Sequence, residues 1–440
     1  MKKIILLVLL GITCSVHAQT KDKIIVTLKE AMDLGVKNRY DMQADKYNID
    51  IAQNDILKSR KAWIPDVKAQ GQIQYNTQLQ STLVPGGFLG SSKPQLITMG
   101  AKNASIFGLS LKQPVFEPGI NSNIKLAKSQ QALAQEKNRQ SEIRVKIQIA
   151  TAYFNVLLKR LQRKIASNEE KRYREYMELA QGKYQQGALI ENDYLRAQLN
   201  HENAKVEEQT VTQDYNLSID KLKNEINVPA ETQLVLADSL NNLNSMGQNA
   251  ADAFSRAENR TEIKQLKIEQ LGNKLTLEKM HRNALPTLSF VANYSEQFLY
   301  DDFSYFKNQW WKPFSYVGLQ LSIPITSHLK NKNNIREERL KIDQTNLELK
   351  QTQSDIHFEI QKALTDLDNA QQNVQSTKSN YNLSQTIYKN QQQQFALGAF
   401  QFSDLLDTEK SLHTAEQNYV QAVYDYLVAK INYEKAIGAL

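Results

Sequence analysis

The sequence predicts a mixed fold: mainly α-helix, with a transmembrane β-barrel component, built from two tandem copies of one unit. Three observations carry this. YQQGALIEND, Tyr184 to Asp193, returns as FALGAFQFSD, Phe395 to Asp404, at an offset of 211 residues. Prolines at 65, 85, 94, 114, 118, 229, 286, 313 and 324 leave 119–228 and everything after 324 free of proline. Between the prolines, apolar residues alternate with polar ones, the period of a strand with two unlike faces.

The duplication is wider than the turn. At the same offset Leu195 meets Leu406, Tyr215 meets Tyr426 and Ile226 meets Ile437. WIPDV (Trp63 to Val67) has a partner in ALPTL (Ala284 to Leu288), and FGLSLKQPV (Phe107 to Val115) in VGLQLSIPI (Val317 to Ile325). Gln- and Asn-rich helices align easily, but Pro and Gly are scarce and punctuate structure, so their matched positions mark a repeat. The expected organisation is a leader at 1–18, repeat 1 at 19–229, a linker at 230–249 and repeat 2 at 250–440.

MKKIILLVLLGITCSVHAQ opens with two lysines, an apolar run and the small-residue site VHA, a secretory leader with cleavage expected after Ala18. The only cysteine, Cys14, lies in it, so a disulfide framework is not expected. Net charge is +7, and +5 once Lys2 and Lys3 leave, without a basic block; nucleic acid is not an expected partner. No later run is long and apolar enough for a membrane helix.

In each repeat the strands come first. Val67, Ala69, Gly71, Ile73 and Tyr75 alternate with Lys68, Gln70, Gln72 and Gln74; Phe107, Leu109 and Leu111 alternate with Gly108, Ser110 and Lys112. Leu288, Phe290, Ala292 and Tyr294, then Val317, Leu319, Leu321 and Ile323, repeat this. Strands are expected at about 64–78, 104–115, 286–298 and 314–325. The pattern puts Val67, Ile73, Phe107, Leu109, Phe290, Leu319 and Leu321 toward outer membrane lipid, and Gln70, Gln72, Ser110 and Gln320 toward a lumen. Four strands cannot close a membrane barrel, which takes at least about eight. Three chains supply twelve, so a homotrimer follows if the strands lie in a membrane; two chains supply eight, a narrower barrel filled by side chains.

The proline-free tracts carry a helical period. Ile143, Ile147, Ala150, Phe154, Leu157 and Leu161 step by four and three, as do Ile356, Ile360, Ala363, Leu367, Ala370 and Val374. Each tract is expected to be a helical hairpin, at 119–228 and 328–438, with tips at 184–193 and 395–404. From Gly119 to Gln186 one unbroken helix would run about 100 Å; shorter helices with a break at Gly182 are the alternative. Gly187 and Gly398 suit the left-handed residue that ends a helix. Asn192 and Ser403 are expected N-caps, with Asp193 and Asp404 in the first turn behind them.

With these elements in place the chain resembles the TolC-like outer membrane efflux proteins over essentially its whole mature length. The tips KYQQGALIENDYLRAQ and QFALGAFQFSDLLDTE carry the most specific likeness. The resemblance implies a trimeric 12-stranded barrel continued by a periplasmic α-helical barrel. It implies three further partners: a periplasmic adaptor (membrane fusion protein), an inner-membrane RND or ABC transporter, and outer membrane lipid. Gly187, Leu189, Asp193, Gly398, Phe400 and Asp404 would then lie at or beside the adaptor contact. Some members carry acids just before the second tip; here Tyr388 to Gln394 reads YKNQQQQ. The periplasmic gate candidates are therefore Lys183, Tyr388, Lys389 and Gln392.

No enzyme is expected, and neither a cofactor nor a metal. The mature histidines 201, 281, 328, 357 and 413 lack ligand spacing, and no nucleophile elbow, P-loop or dinucleotide fingerprint occurs. Glu337-Glu338 and Asp366/Asp368 read as solvated helix faces, and Trp310-Trp311 as an interface belt rather than a ligand site. The expected function is passive export through an outer membrane duct. A periplasmic coiled-coil scaffold or adhesin without a pore is the alternative.

Overall fold

The computed structural model describes residues 23–87, 90, 92–239, 254, 257–397, 399 and 401–440. The leader at 1–18, the linker from 240 to 249 and the tip residues Gly398 and Phe400 lie outside them. In chain order the elements are β1 (Lys23–Val26), α1 (Leu28–Asn38), α2 (Tyr40–Lys61), β2 (Asp66–Tyr75), β3 (Gln80–Val84), β4 (Gln95–Met99) and β5 (Asn103–Phe116). Then come α3 (Pro118–Gln185), α4 (Glu191–Glu225), β6 (Gln233–Leu236), α5 (Thr261–Arg282), β7 (Thr287–Tyr300), β8 (Trp311–Ser322), α6 (Ser327–Ala396) and α7 (Phe402–Ala436). Two compact units form: one from the described parts of Met1–Asp45, Asn138–Arg260 and Gln353–Leu440, the other from Lys46–Lys137 and Thr261–Thr352.

The second unit holds an antiparallel sheet in the order β2-β5-β7-β8. Proline placement follows the pairing. Pro313 sits in β8, an edge strand of the single chain's sheet, where proline is tolerated. Pro114 sits in the central β5, where the register to β7 shifts between Pro114 and Phe116. β8 stops at Ser322, short of the expected 325, because Pro324 cannot continue it. At the other end it reaches back to Trp311. The expected loop after β2 holds a hairpin of its own, β3 paired with β4. Helices below the sheet approach closely where Ser129 Oγ donates to the Ile268 carbonyl at 3.3 Å.

The first unit is built on the long helices. α3 runs 68 residues and α6 runs 70, each unbroken, so Gly182 does not divide α3. Val145, Ile149, Ala150, Tyr153, Phe154, Val156 and Leu157 are buried on nearly every side of α3. They pack against Leu222 and Ile226 of α4 and Val423, Leu427 and Ile431 of α7. β1 pairs in parallel with β6, two strands absent from the sequence expectation. Their Val26, Leu234 and Leu236 extend the same core. Thr27 then starts α1 with a reciprocal capping box to Glu30.

One carboxylate oxygen ties this region together. Asp238 Oδ2 accepts from the Leu28 N–H at 2.9 Å and from the Tyr153 hydroxyl at 2.8 Å. The same residue's carbonyl accepts from Arg160 at 2.6 Å. Asp238→Ala leaves the Leu28 N–H short of an acceptor and the Tyr153 hydroxyl with only the Val26 carbonyl, at 3.1 Å, and should destabilise this unit by about 1–3 kcal/mol. Asp238→Asn keeps one acceptor oxygen and should lose less. Chemical denaturation followed by tyrosine fluorescence reads both.

Candidate functional site: sheet faces and helix tips

Cross-strand register decides which residues share a face, because directly paired residues of an antiparallel ladder point the same way. Val67 pairs with Leu111, Ala69 with Leu109, Gly71 with Phe107, and Ile73 with Ser105. Leu109 pairs with Tyr294, Phe290 with Leu319, and Leu288 with Leu321. All seven residues expected to meet lipid therefore lie on one face. Gln70, Gln72, Ser110 and Gln320 lie on the other, with Lys68, Lys112 and Asn293. Val67, Ile73, Phe107, Leu109, Phe290, Leu319 and Leu321 are all exposed in the single chain. The Phe107 ring lies over Gly71, where an added Cβ would meet it at 2.6 Å, so a glycine admits the aromatic.

The apolar face ends in aromatic clusters. Phe298 is buried and stacks on Tyr305 at 4.2 Å; Trp311 lies 5.4 Å from Phe298 and 5.8 Å from Phe107. Trp310 stacks on Tyr300 at 3.8 Å. Trp311 Nε1–H donates to the Tyr305 carbonyl at 2.8 Å, so its polar atom is satisfied. At the opposite strand ends Ile64, Phe116, Ile323 and Ile325 are exposed.

The first tip is a complete helix-ending motif. Gly187 has φ 70°. Its N–H donates to the Tyr184 carbonyl at 3.0 Å, and the Ala188 N–H to the Lys183 carbonyl at 2.9 Å. At the second tip the Ala399 N–H makes the equivalent bond to the Gln394 carbonyl at 2.9 Å. The expected N-caps are corrected. α4 starts at Glu191 behind Ile190, and α7 starts at Phe402 behind Gln401, so Asn192 and Ser403 are not the caps. Neither true cap makes a side-chain bond. Asn192 and Ser403 are already inside the first turn, where Ser403 Oγ donates to Asp404 at 3.3 Å.

Beneath the tips Tyr176, Ala180, Ala197, Tyr388, Phe395, Leu405 and Leu412 form a buried cluster, with Leu189 packed against it. Asp193 is half-buried and Asp404 exposed. Two of the gate candidates turn inward. Tyr388 is buried, its hydroxyl bonded to that of Tyr176, and burial pushes its phenol up to about 12. Lys183 Nζ donates to the Phe395 carbonyl at 3.2 Å and lies 4.4 Å from that ring's centre. Lys389 is exposed and Gln392 half-exposed. The sequence reading missed two apolar residues that crown the tips: Ile190, 65% exposed, and Leu397, 85% exposed. Their signal was an apolar residue within three positions of the turn glycine.

Among the described residues no group of three or more His, Cys, Asp or Glu is placed to hold a metal. Glu338 departs from the solvated-face expectation; it is buried, 3.4 Å from Lys341. Among the described residues no helix is long and apolar enough to cross a membrane.

Comparison with known proteins agrees with this geometry. A model of the family described as "Outer membrane efflux protein" matches residues 33–226 and 281–439. The alkaline protease secretion protein AprF of Pseudomonas aeruginosa is 22% identical over 329 residues, 73% of this chain and 67% of that protein. Among solved structures, CusC superposes with TM-score 0.75 at 15% identity, covering 93% of this chain and 91% of that one. The CmeC outer membrane channel of Campylobacter jejuni gives 0.71 at 16% identity, over 93% and 85%. The MtrE outer membrane channel of Neisseria gonorrhoeae, in its open state, gives 0.70 at 15%, over 93% and 88%. These structural likenesses establish the fold.

Gly187→Val tests the tip motif directly. A β-branched residue in the left-handed region costs roughly 1–2 kcal/mol, so the two closing hydrogen bonds should weaken. Limited proteolysis should then cut between Gln185 and Glu191 faster, while Gly187→Asn stays close to wild type.

Proposed function

Because the chain belongs to the outer membrane efflux protein family, we propose that it is the outer membrane exit duct of a tripartite efflux or type I secretion system, assembled as a homotrimer. The observation that carries this reading is the β2-β5-β7-β8 sheet, with one mainly apolar face, interrupted by Glu296 and Ser315, and both edges unpaired among the described residues. A strand edge cannot lie in hydrocarbon, where no water satisfies its backbone groups. Pairing β2 of one protomer with β8 of the next removes both edges, and three chains make a closed barrel of about twelve strands. The polar face then lines the lumen. Strands of 10 to 14 residues are long enough to cross the bilayer when tilted. Trp310, Trp311 and Tyr300 would form one interfacial belt, and Ile64, Phe116, Ile323 and Ile325 the other.

The helical tips would face the periplasm and meet an adaptor. Ile190, Leu397 and Leu189 offer the apolar surface for that contact, beside Gly187, Asp193, Gly398, Phe400 and Asp404. An inner-membrane RND or ABC transporter would supply the energy. AprF's name as a protease secretion protein supports the secretion arm of this reading. The outer membrane channels CmeC and MtrE support the duct itself. Gln, Asn and Ser on the helices suit a wet passage rather than a selective pocket.

Membrane fractionation tests the assembly. A heat-modifiable trimer should be extracted from outer membranes; a soluble monomer in the periplasmic fraction would refute the duct. Strand phase has its own test. Leu109→Arg should cost about 2–4 kcal/mol at midplane and lower trimer yield, while Ser110→Arg on the lumen face should be nearly neutral. Equal assembly of the two would put the sheet the wrong way round.

The gate falls to Lys389 and Gln392, since Tyr388 and Lys183 are engaged within the protomer. A ring of Lys389 side chains at the pore mouth would favour anions. In planar bilayers the wild type should prefer anions, and Lys389→Asp should weaken or reverse that preference. Cation-preferring currents that ignore Lys389→Asp would leave the constriction to Gln392.

A further inference from the structure

Where α3 meets α7, roughly 20 Å from the end of α3 by helical rise, charged side chains are buried together. Glu409 of α7 is 0% exposed and accepts from Arg172 Nε of α3 at 2.6 Å. Two turns on, Glu416 lies 3.6 Å from Arg172 Nη2 and is also buried. Between them His413 Nδ1 lies 2.7 Å from Glu169 Oε2 of α3. Three carboxylates therefore share one guanidinium and one imidazole. Oε2 of Glu409 and Oε2 of Glu416 are buried with no hydrogen-bond partner.

Among the described residues, the cations that act on Glu409 and Glu416 are Arg172 and His413. α6 contributes Tyr381 and Tyr388, and Arg172 lies 5.9 Å from the Tyr388 ring centre. α3 adds Tyr173 and Tyr176, with Glu175 acting on Tyr388 through space. From α4, His201 faces Glu170 at 3.0 Å, and Glu170 also holds Arg174. The amide of Gln417 lies 3.4 Å from His413 Nε2.

We propose that this cluster is a proton-responsive joint between the two helical hairpins: proton uptake by Glu409, Glu416 and His413 cancels its excess negative charge and tightens α7 against α3. Burial is the driving cause. Buried carboxylates that outnumber their cations cannot all stay ionised. Burial pushes Glu409 up to about 7 against the pull of Arg172, and pushes Glu416 upward too. The Glu169 carboxylate, 2.7 Å from its Nδ1, raises His413 above the ordinary imidazole value of 6.5.

All three shifts act in one direction. A raised carboxyl binds its proton more strongly in the folded helices than in the free chain, so its stabilisation is lost as pH climbs through about 7. A raised imidazole stabilises fully below 6.5 and loses that contribution as pH rises through its folded value. The joint is therefore firmer in mild acid than in mild alkali, whichever adaptor or pump the tips meet.

Hydrogen–deuterium exchange on the full chain in detergent tests this, with rates corrected for the chemical effect of pH. From Glu409 alone, amides of 405–420 should be about tenfold better protected at pH 6 than at pH 8, with α5 as the reference. Glu409→Gln should reduce that ratio several-fold, and Glu409→Gln with His413→Gln should bring it near that of α5. Wild-type protection that is flat, or falls on acidification, overturns the joint whether or not the variants fold. A full wild-type ratio surviving in the double variant overturns it as well.

Discussion

The backbone of an open sheet is the constraint on which the rest depends. β2 and β8 each present a row of N–H and C=O groups that the single chain leaves unpaired. In water such an edge invites uncontrolled pairing; in lipid it is not permitted. The side chains of the same sheet rule out water as the home of one face, since Val67, Leu109, Val317 and Leu319 are exposed together. Edge and face thus make the same demand: more strands of the same kind, with lipid outside. The proposed trimer meets both demands at once.

The helices solve a different problem with little apolar material. α3, α4 and α6 are rich in Gln, Asn, Lys and Glu, so a helix cannot rely on one continuous greasy stripe. Packing is concentrated instead. The core around Tyr153, Leu157 and Leu427 holds one level of the first unit, and the cluster around Tyr176, Phe395 and Leu405 holds the level beneath the tips. Helix ends are closed by backbone bonds rather than side chains. Gly187, Asn227 and Gly438 all take positive φ, and each is followed by an N–H that returns to a carbonyl five residues back. Asn227 and Gly438 also stand at the repeat offset of 211, so the duplication preserved a backbone shape while changing the residue.

What could be read from the sequence followed from period and punctuation. The alternation through Phe107, Leu109 and Leu111 located β5, and the faces are legible because a period of two leaves no freedom once the register is set. Proline-free tracts located α3 and α6. Caps were misplaced because Asn192 and Ser403 have the right chemistry two positions too late; helix starts here are set by Ile190 and Gln401, which are extended but accept no side-chain capping bond. β1 and β6 were missed because four-residue strands carry too little pattern, and their partners lie 210 residues apart. Tyr388 looked like a polar pore residue from its neighbours KNQQQQ, yet on a helix its face is fixed by what lies three and four positions away. It points at Tyr176.

The buried ions raise a question that stability does not answer. A desolvated Arg–Glu pair is commonly no better than well-packed apolar residues of the same volume. Apolar packing was available, since Leu405 and Leu412 lie on the same helix and are buried. The incomplete pairing of Glu409 and Glu416 makes the arrangement worse still at high pH, where one oxygen of each carboxylate lacks a donor. What the cluster has that leucines lack is a choice of protonation state and a fixed partner across two hairpins. Arg172 meets Glu409 and Glu416 together in the register that α3 and α7 adopt. The charges therefore specify alignment first, and their protonation sets how strongly that alignment is held.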